Sequence, residues 1–271
     1  MIIKTTLSFL FAIIFLSIPS FAPAEEKLVI AGTGDSQLLL RTLAKEFEKN
    51  NKGIKVEIPD SIGSSGGIRA AADGAANLGR VARKIKETEK KYNLNYMIFA
   101  QSPVVFVVNP SVQGIDNLTS DNILKIMQGE LSSWTELGGD EYKIYIVQRE
   151  FGDSSRIALG EAIPELKGMK EMAGKVFFST PDTVAALSKY KYTLGYTSLS
   201  ATKDSDLILL KVNGMYPSPD NIRSGKYPFI VPFGFVWKGE LKGLAKKFVN
   251  FIKSNEGKRI ISEFGAVPTG K

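Results

Sequence analysis

One local pattern occurs three times in this chain. Lys27 to Ala31, Ile54 to Ile58 and Ile144 to Val147 are short apolar or alternating runs of β character. Each leads into a turn rich in glycine or hydroxyl residues: Gly32 to Gln37, Ile62 to Gly67 and Arg149 to Arg156. A helical segment follows each turn. The clearest is Leu38 to Asn50, where Leu39, Leu40, Leu43, Ala44 and Phe47 recur at helical spacing. Strand, tight turn, helix is the rhythm of a parallel sheet, so the predicted fold class is α/β.

The remaining segments fit around that frame. Leu78 to Arg83 reads as a third early strand leading into a charged helix, Lys84 to Tyr92. Tyr96 to Phe99 and Val104 to Val108 are apolar enough for buried strands, with a change of lobe close behind them. A short helix is predicted from Asn122 to Met127, and another from Pro181 with Asp182 or Thr183 near its cap. Thr193 to Thr197 and Leu207 to Val212 are strand candidates. Tyr227 to Trp237 contains two prolines and is predicted to be an edge or hinge strand. Leu241 to Ser254 and Gly257 to Phe264 close the chain as helices.

Residues 1–24 read as a cleavable leader. Lys4 supplies the positive end, Leu7 to Ile18 carries no charge, and Ala22-Pro23-Ala24 suits a cleavage site. The apolar run falls short of the roughly 20 residues a spanning helix needs, which favours cleavage over a retained anchor. The expected mature chain starts at Glu25 and is periplasmic.

The chain has neither cysteine nor histidine. That rules out disulfides, a lipid-bearing cysteine and a Ser-His-Asp hydrolase, and it argues against zinc or copper. Net charge is +7, or +6 once Lys4 leaves with the leader. A basic exported protein suits an anionic ligand, while dispersed lysines and arginines speak against nucleic acid. No catalytic residue, metal or cofactor is expected, and a monomer is.

The three turns share one chemistry. Gly32 to Gln37 lacks the third glycine of a dinucleotide loop, and Asp35 or Ser36 suits an N-cap. In Ile62 to Gly67 the glycines permit positive φ and close ligand approach, and Ser64 and Ser65 can donate. A helix starting at Gly66 or Gly67 would aim free N–H groups at that turn. Arg149 to Arg156 adds Ser154, Ser155 and a guanidinium four residues ahead of Asp153. A helix N-terminus with hydroxyls and a guanidinium is a ready oxyanion site. The plainer readings are a capping serine, a glycine-rich βα turn, and a surface salt bridge from Arg149 to Glu150 or Glu161. Arg156 is assigned to that surface role.

With these residues in place, the chain resembles the periplasmic phosphate-binding proteins of ABC transporters. The likeness covers essentially the whole mature sequence. It rests on Gly32 to Gln37, on Gly63-Ser64-Ser65-Gly66-Gly67, and on Arg149, Asp153, Ser154, Ser155 and Arg156 in the family's Arg-x-x-x-Ser-Gly-Thr-Arg pattern. Met127-Gln128-Gly129 through Trp134 to Gly138, Gly195-Tyr196, and Ser254 to Gly257 through Val267-Pro268 extend it. The resemblance implies a type II periplasmic binding-protein fold, in which two α/β lobes joined by hinge strands close on the ligand. By position the lobes would be 25–103 with 203–271, and 104–202. Ser36, Ser64, Ser154 and Ser155 would donate to phosphate, Gln37 would offer its backbone N–H, and Arg149 would be the charged donor. The implied partners are inorganic phosphate and the transporter's permease subunits.

Two departures bear on selectivity. Where well-known relatives carry an aspartate that accepts the phosphate proton, this chain has Ala82, and Asp153 stands where they have serine. Asp153 is therefore expected to take over the acceptor role, with plain helix capping as the alternative. The leading expectation is phosphate capture. The alternatives are sulfate, molybdate or tungstate binding, or an extracytoplasmic sensor; a phosphatase fits poorly without histidine, cysteine or clustered carboxylates.

Overall fold

The computed structural model describes residues 26–270, so the expected leader lies outside the described residues. The first elements are β1 (Glu26–Gly32), α1 (Gln37–Asn50), β2 (Ile54–Glu57), α2 (Gly63–Ala72), β3 (Leu78–Val81) and β4 (Leu94–Val108). Next come β5 (Asn117–Leu118), α3 (Ser120–Gln128), β6 (Tyr145–Arg149), α4 (Ser154–Ala162), β7 (Lys175–Phe177), α5 (Thr180–Lys189) and β8 (Thr193–Ser198). The chain ends with β9 (Ile208–Leu209), β10 (Lys211–Val212), α6 (Pro219–Arg223), β11 (Ile230–Lys238), α7 (Gly243–Lys253), α8 (Asn255–Glu263) and β12 (Val267–Pro268). No helix among the described residues is long and apolar enough to cross a membrane.

The main strands run in the order β2-β1-β3-β11-β4-β8-β6-β7. β1, β2 and β3 are parallel, as are β6, β7 and β8, so the strand-turn-helix units lie in two parallel blocks. β4 joins the blocks. Its residues Leu94 to Pro103 pair antiparallel with β11, and Val104 to Val108 pair with β8. The first block and its helices form one lobe and the second block forms the other, the type II binding-protein arrangement.

Each lobe is built on an amphipathic logic. Leu39, Leu40, Leu43, Ala44 and Phe47 of α1 are all buried, and Phe47 meets Phe248 of α7 edge-on at 5.3 Å between ring centroids. In the second lobe Trp134 is buried and donates its indole N–H to the Tyr192 carbonyl at 3.1 Å.

The structure departs from the sequence reading in four places. The two apolar runs around residue 100 form one strand, because Pro103 falls where β4 changes partner and its missing N–H interrupts neither ladder. β11 is central, not an edge; β3 flanks only Gly234 to Val236, so Pro232 sits beyond that pairing. The stretch expected as strand over Leu207 to Val212 is two short strands with different partners: β9 pairs with Val107–Val108 and β10 with Asn117–Leu118. Finally, α2 begins at Gly63, so Ser64 and Ser65 lie inside its first turn.

Candidate functional site

The turns after β1 and β6 and the start of α2 meet between the lobes, at the carboxyl ends of parallel strands, where open α/β sheets bind ligands. Contacts across the cleft are direct. The hydroxyls of Ser64 on α2 and Ser154 on α4 are 3.2 Å apart. Ser64 Oγ also accepts from the Ala82 N–H at 3.1 Å, so the position without a side-chain acceptor orients a serine through its backbone.

The first turn is held from beneath by Arg80, which is fully buried. Its guanidinium donates to the Thr33 carbonyl at 2.7 Å, to the Pro59 carbonyl at 2.7 Å and to Gln37 Oε1 at 3.1 Å, as well as to the Ile30 carbonyl. Burial, with Arg41 nearby, lowers its pKa to about 10. The Gln37 N–H closes a turn on the Gly34 carbonyl at 3.1 Å, so both polar ends of Gln37 serve the loop. Ser36 occupies the N-cap position of α1 without capping it.

Two serines stand out. Among the described residues the buried hydroxyls of Ser36, Tyr96, Ser102, Ser155 and Thr197 have no hydrogen-bond partner, and of these Ser36 and Ser155 stand at the starts of α1 and α4. Buried hydroxyls are normally satisfied, and these two serines belong one to each lobe.

Arg149 ends β6 in a buried setting and not on the surface. It donates to Asp153 Oδ2 at 2.7 Å, to Thr183 Oγ1 at 2.9 Å and to the Phe177 carbonyl at 3.2 Å. Burial works against the charge, but the paired Asp153 holds the Arg149 pKa above its ordinary value. Asp153 Oδ1 caps α4, accepting from the N–H groups of Ser155 at 3.0 Å and Arg156 at 3.2 Å. Capping and gripping Arg149 together occupy both carboxylate oxygens. Arg156 is likewise buried, donating to the carbonyls of Arg149, Met169 and Lys170 at 2.8 Å each. Its role is to pin the loop.

The sequence reading missed Asp35 as more than a possible cap. Asp35 is 1% exposed. Its Oδ1 accepts from Thr180 Oγ1 of α5 at 3.0 Å, and its Oδ2 from Thr33 Oγ1 at 3.3 Å. Its backbone carbonyl accepts from Ser198 and Ser200 hydroxyls at 2.9 Å each. Burial first, and the charge of Asp153 second, push its carboxyl up to about 6. Ser179, not Asp182 or Thr183, caps α5, which leaves Thr180 and Thr183 to reach Asp35 and Arg149.

The glycines of the second turn have a different job from the one expected. A Cβ on Gly67 would lie 2.8 Å from the Ala31 carbonyl oxygen, and one on Gly79 would lie 2.4 Å from the Gly67 carbonyl. They let α2 settle directly on β1 and β3. Beside them, Arg83 pairs with Glu89 at 2.7 Å, and Ser65 donates to the same carboxylate at 3.0 Å. Burial opposes ionisation there, yet the bonds from Arg83, the Lys86 backbone and Ser65 hold the Glu89 carboxyl down at about 2. Ser65 is thereby committed to the framework.

Comparison with known proteins gives a consistent result. The chain is 27% identical over 255 residues to the Phosphate-binding protein PstS of Bacillus subtilis, covering 91% of this chain and 83% of that one. It is 26% identical to the Phosphate-binding protein PstS of Borreliella burgdorferi, covering 89% and 90%. Among solved structures it resembles a putative phosphate ABC transporter substrate-binding protein with bound phosphate from Clostridium perfringens. That match has a TM-score of 0.81 and 26% identity, with coverage of 90% of this chain and 100% of the other. The PBP superfamily domain matches residues 19–256, and the chain belongs to that superfamily.

Proposed function

We propose that this is an exported solute-binding protein that captures inorganic phosphate in the cleft and hands it to the membrane subunits of an ABC transporter. The observation that carries the reading is the pair of buried, partnerless hydroxyls, Ser36 and Ser155, at helix starts in opposite lobes. A tetrahedral oxyanion between the lobes would accept from both. Ser64 and Ser154, already within 3.2 Å of each other, would turn their hydroxyl protons to it. Arg149 supplies the charged donor, and the N-termini of α1, α2 and α4 add their partial positive charge. Asp153 and Gln37 act as framework, shaping the loops that carry those donors. The relatives named for phosphate binding support the choice of anion, and the transporter partnership follows from the same likeness. A periplasmic location and a monomeric state complete the proposal.

A thermal-shift panel of phosphate, arsenate, sulfate, molybdate and tungstate tests it. A ligand at about a hundred times its dissociation constant stabilises by roughly 2.7 kcal/mol, a readable shift. Phosphate is expected to give the largest response. A flat response to phosphate, or a larger one to sulfate, would overturn the reading.

A further inference from the structure

The second lobe carries an open groove at the end of its sheet away from the cleft. β6 runs from Tyr145 in the groove to Arg149 in the cleft, so roughly 13 Å of strand separates the two at about 3.3 Å per residue. The helix over this face, α5, covers it only in part. Ala186 and Leu187 share a buried cluster with Val147, and Phe177 of β7 packs against it. Beyond that cluster the face is bare. Tyr145, two residues before Val147 and so on the same side of the sheet, is 53% exposed. Tyr190, just past the end of α5, is 51% exposed. With Phe177 they give the groove, about 690 Å³ in volume, three aromatic rings.

Its charge is one-sided. Lys143, Lys175 and Lys191 line it, and no aspartate or glutamate does. None of the three lysines is in an ion pair among the described residues. Lys175 Nζ lies over the Phe177 ring, 5.7 Å from its centroid, which sets a cation against the aromatic wall. Exposed tyrosine rings offer faces on which a planar ring can stack. Three ammonium groups without a guanidinium suit a multiply charged phosphate, which takes point charges, better than a single carboxylate, which the arginine fork matches. The volume also falls within the roughly 300–1,000 Å³ of small-ligand sites.

We propose that this groove is a second ligand site that takes a nucleoside phosphate: the base stacks on the exposed tyrosines and the phosphate meets Lys143, Lys175 and Lys191. Stacking reads no base edge, so the site accepts any base. The groove shares no residue with the cleft, so failure of the phosphate reading would leave this inference and its test unchanged.

Calorimetric titration of the whole protein with adenosine monophosphate tests it, with enough inorganic phosphate present to fill the cleft. Saturable binding of one nucleotide per chain is expected, with adenosine and inorganic pyrophosphate each weaker by about tenfold or more, the scale of one lost stacking or charge contact. Tyr145→Ser with Tyr190→Ser, and Lys143→Ala with Lys175→Ala and Lys191→Ala, should each weaken the nucleotide by about tenfold or more. Melting temperature and affinity for inorganic phosphate should stay unchanged in both. Absence of saturable nucleotide binding overturns the inference, as does nucleotide binding that neither set of substitutions alters. Pyrophosphate binding as tightly as the nucleotide would leave only a basic patch, and adenosine doing so would leave only an aromatic surface; either result also overturns it.

Discussion

Arg149 and Asp153 form a buried ion pair at 2.7 Å, and the same aspartate caps the helix that begins one residue later. One carboxylate thus fixes both the guanidinium and the N-terminus of α4. Removing one partner of a buried pair costs roughly 3–5 kcal/mol, and losing a cap costs about 1 kcal/mol. Asp153→Ala, which loses both, is expected to be the more destabilised variant; Asp153→Asn keeps a cap and lies between it and the parent. In both, phosphate should restore more stability than it adds to the parent, because Arg149 is left without its partner. Urea denaturation with and without phosphate checks this, and an Asp153→Asn protein as stable as the parent would contradict it.

The partnerless hydroxyls of Ser36 and Ser155 give an unusual signature. Ser36→Ala and Ser155→Ala remove no hydrogen bond within the described residues, so each should leave the ligand-free protein unchanged or slightly more stable. Each should nonetheless weaken phosphate binding, by about 1.5–3 kcal/mol for a hydrogen bond to a charged group. Calorimetric affinities set beside melting temperatures separate the two effects. A variant that loses stability while keeping its affinity would assign the serine to the framework.

Acid and base should act on the free protein through different carboxyls. The Asp35 carboxyl is raised from 3.8 to about 6, so the folded state binds its proton more tightly than the unfolded state does. That contribution is fully present below pH 3.8 and is lost as pH rises through about 6. Its size is on the order of 3 kcal/mol. Glu89 runs the other way: lowered from 4.5 to about 2, it stabilises above 4.5 and its contribution fades as pH falls toward 2. The ligand-free protein is therefore expected to be most stable near pH 4, between about 3.8 and 4.5, and to lose stability from there up to about 6 on the account of these two groups. Melting temperatures over that range, repeated with Asp35→Asn, should show the alkaline slope flatten in the variant.

Arg80 offers a test of the scaffold. Arg80→Met would leave the carbonyls of Ile30, Thr33 and Pro59 and the Gln37 side chain without their donor. Unsatisfied buried acceptors cost about 1–3 kcal/mol each, so a loss of roughly 3 kcal/mol or more is expected. Phosphate affinity should fall with it, since the turn carrying Ser36 loses its support. Retained stability in denaturant would show that the loop holds itself.

Local pattern carried much of this architecture. The strands before the three turns and the face of α1 could be read because alternation and helical period are written in neighbouring residues. The opposed roles of Ser64 and Ser65 could not be told apart, since only the packing shows Ser65 facing Glu89 and Ser64 facing Ser154. Asp35 looked like a cap because its partners, Thr180, Ser198 and Ser200, lie more than a hundred residues away in sequence. β11 reads as an edge or hinge strand because of its prolines; its place between β3 and β4 depends on where β3 stops, a matter of register that no local window contains. The glycines of the second turn read as room for a ligand, whereas Gly67 makes room for the backbone of Ala31, Gly32 and Arg80, and Gly79 of β3 makes room for that of Gly67.

The central position of β11 has a consequence for how the protein is made. The sheet of the first lobe has a gap between β3 and β4 until the strand beginning at Ile230 arrives. Every residue of the first two turns has left the ribosome long before the surface that steadies them is complete. Pairings so distant in sequence form slowly, because a long loop must close before they return any stability. The sheet of the first lobe therefore closes only after nearly all of the chain has been synthesised, whereas the block of β4, β6, β7 and β8 has all its strands before Ile230.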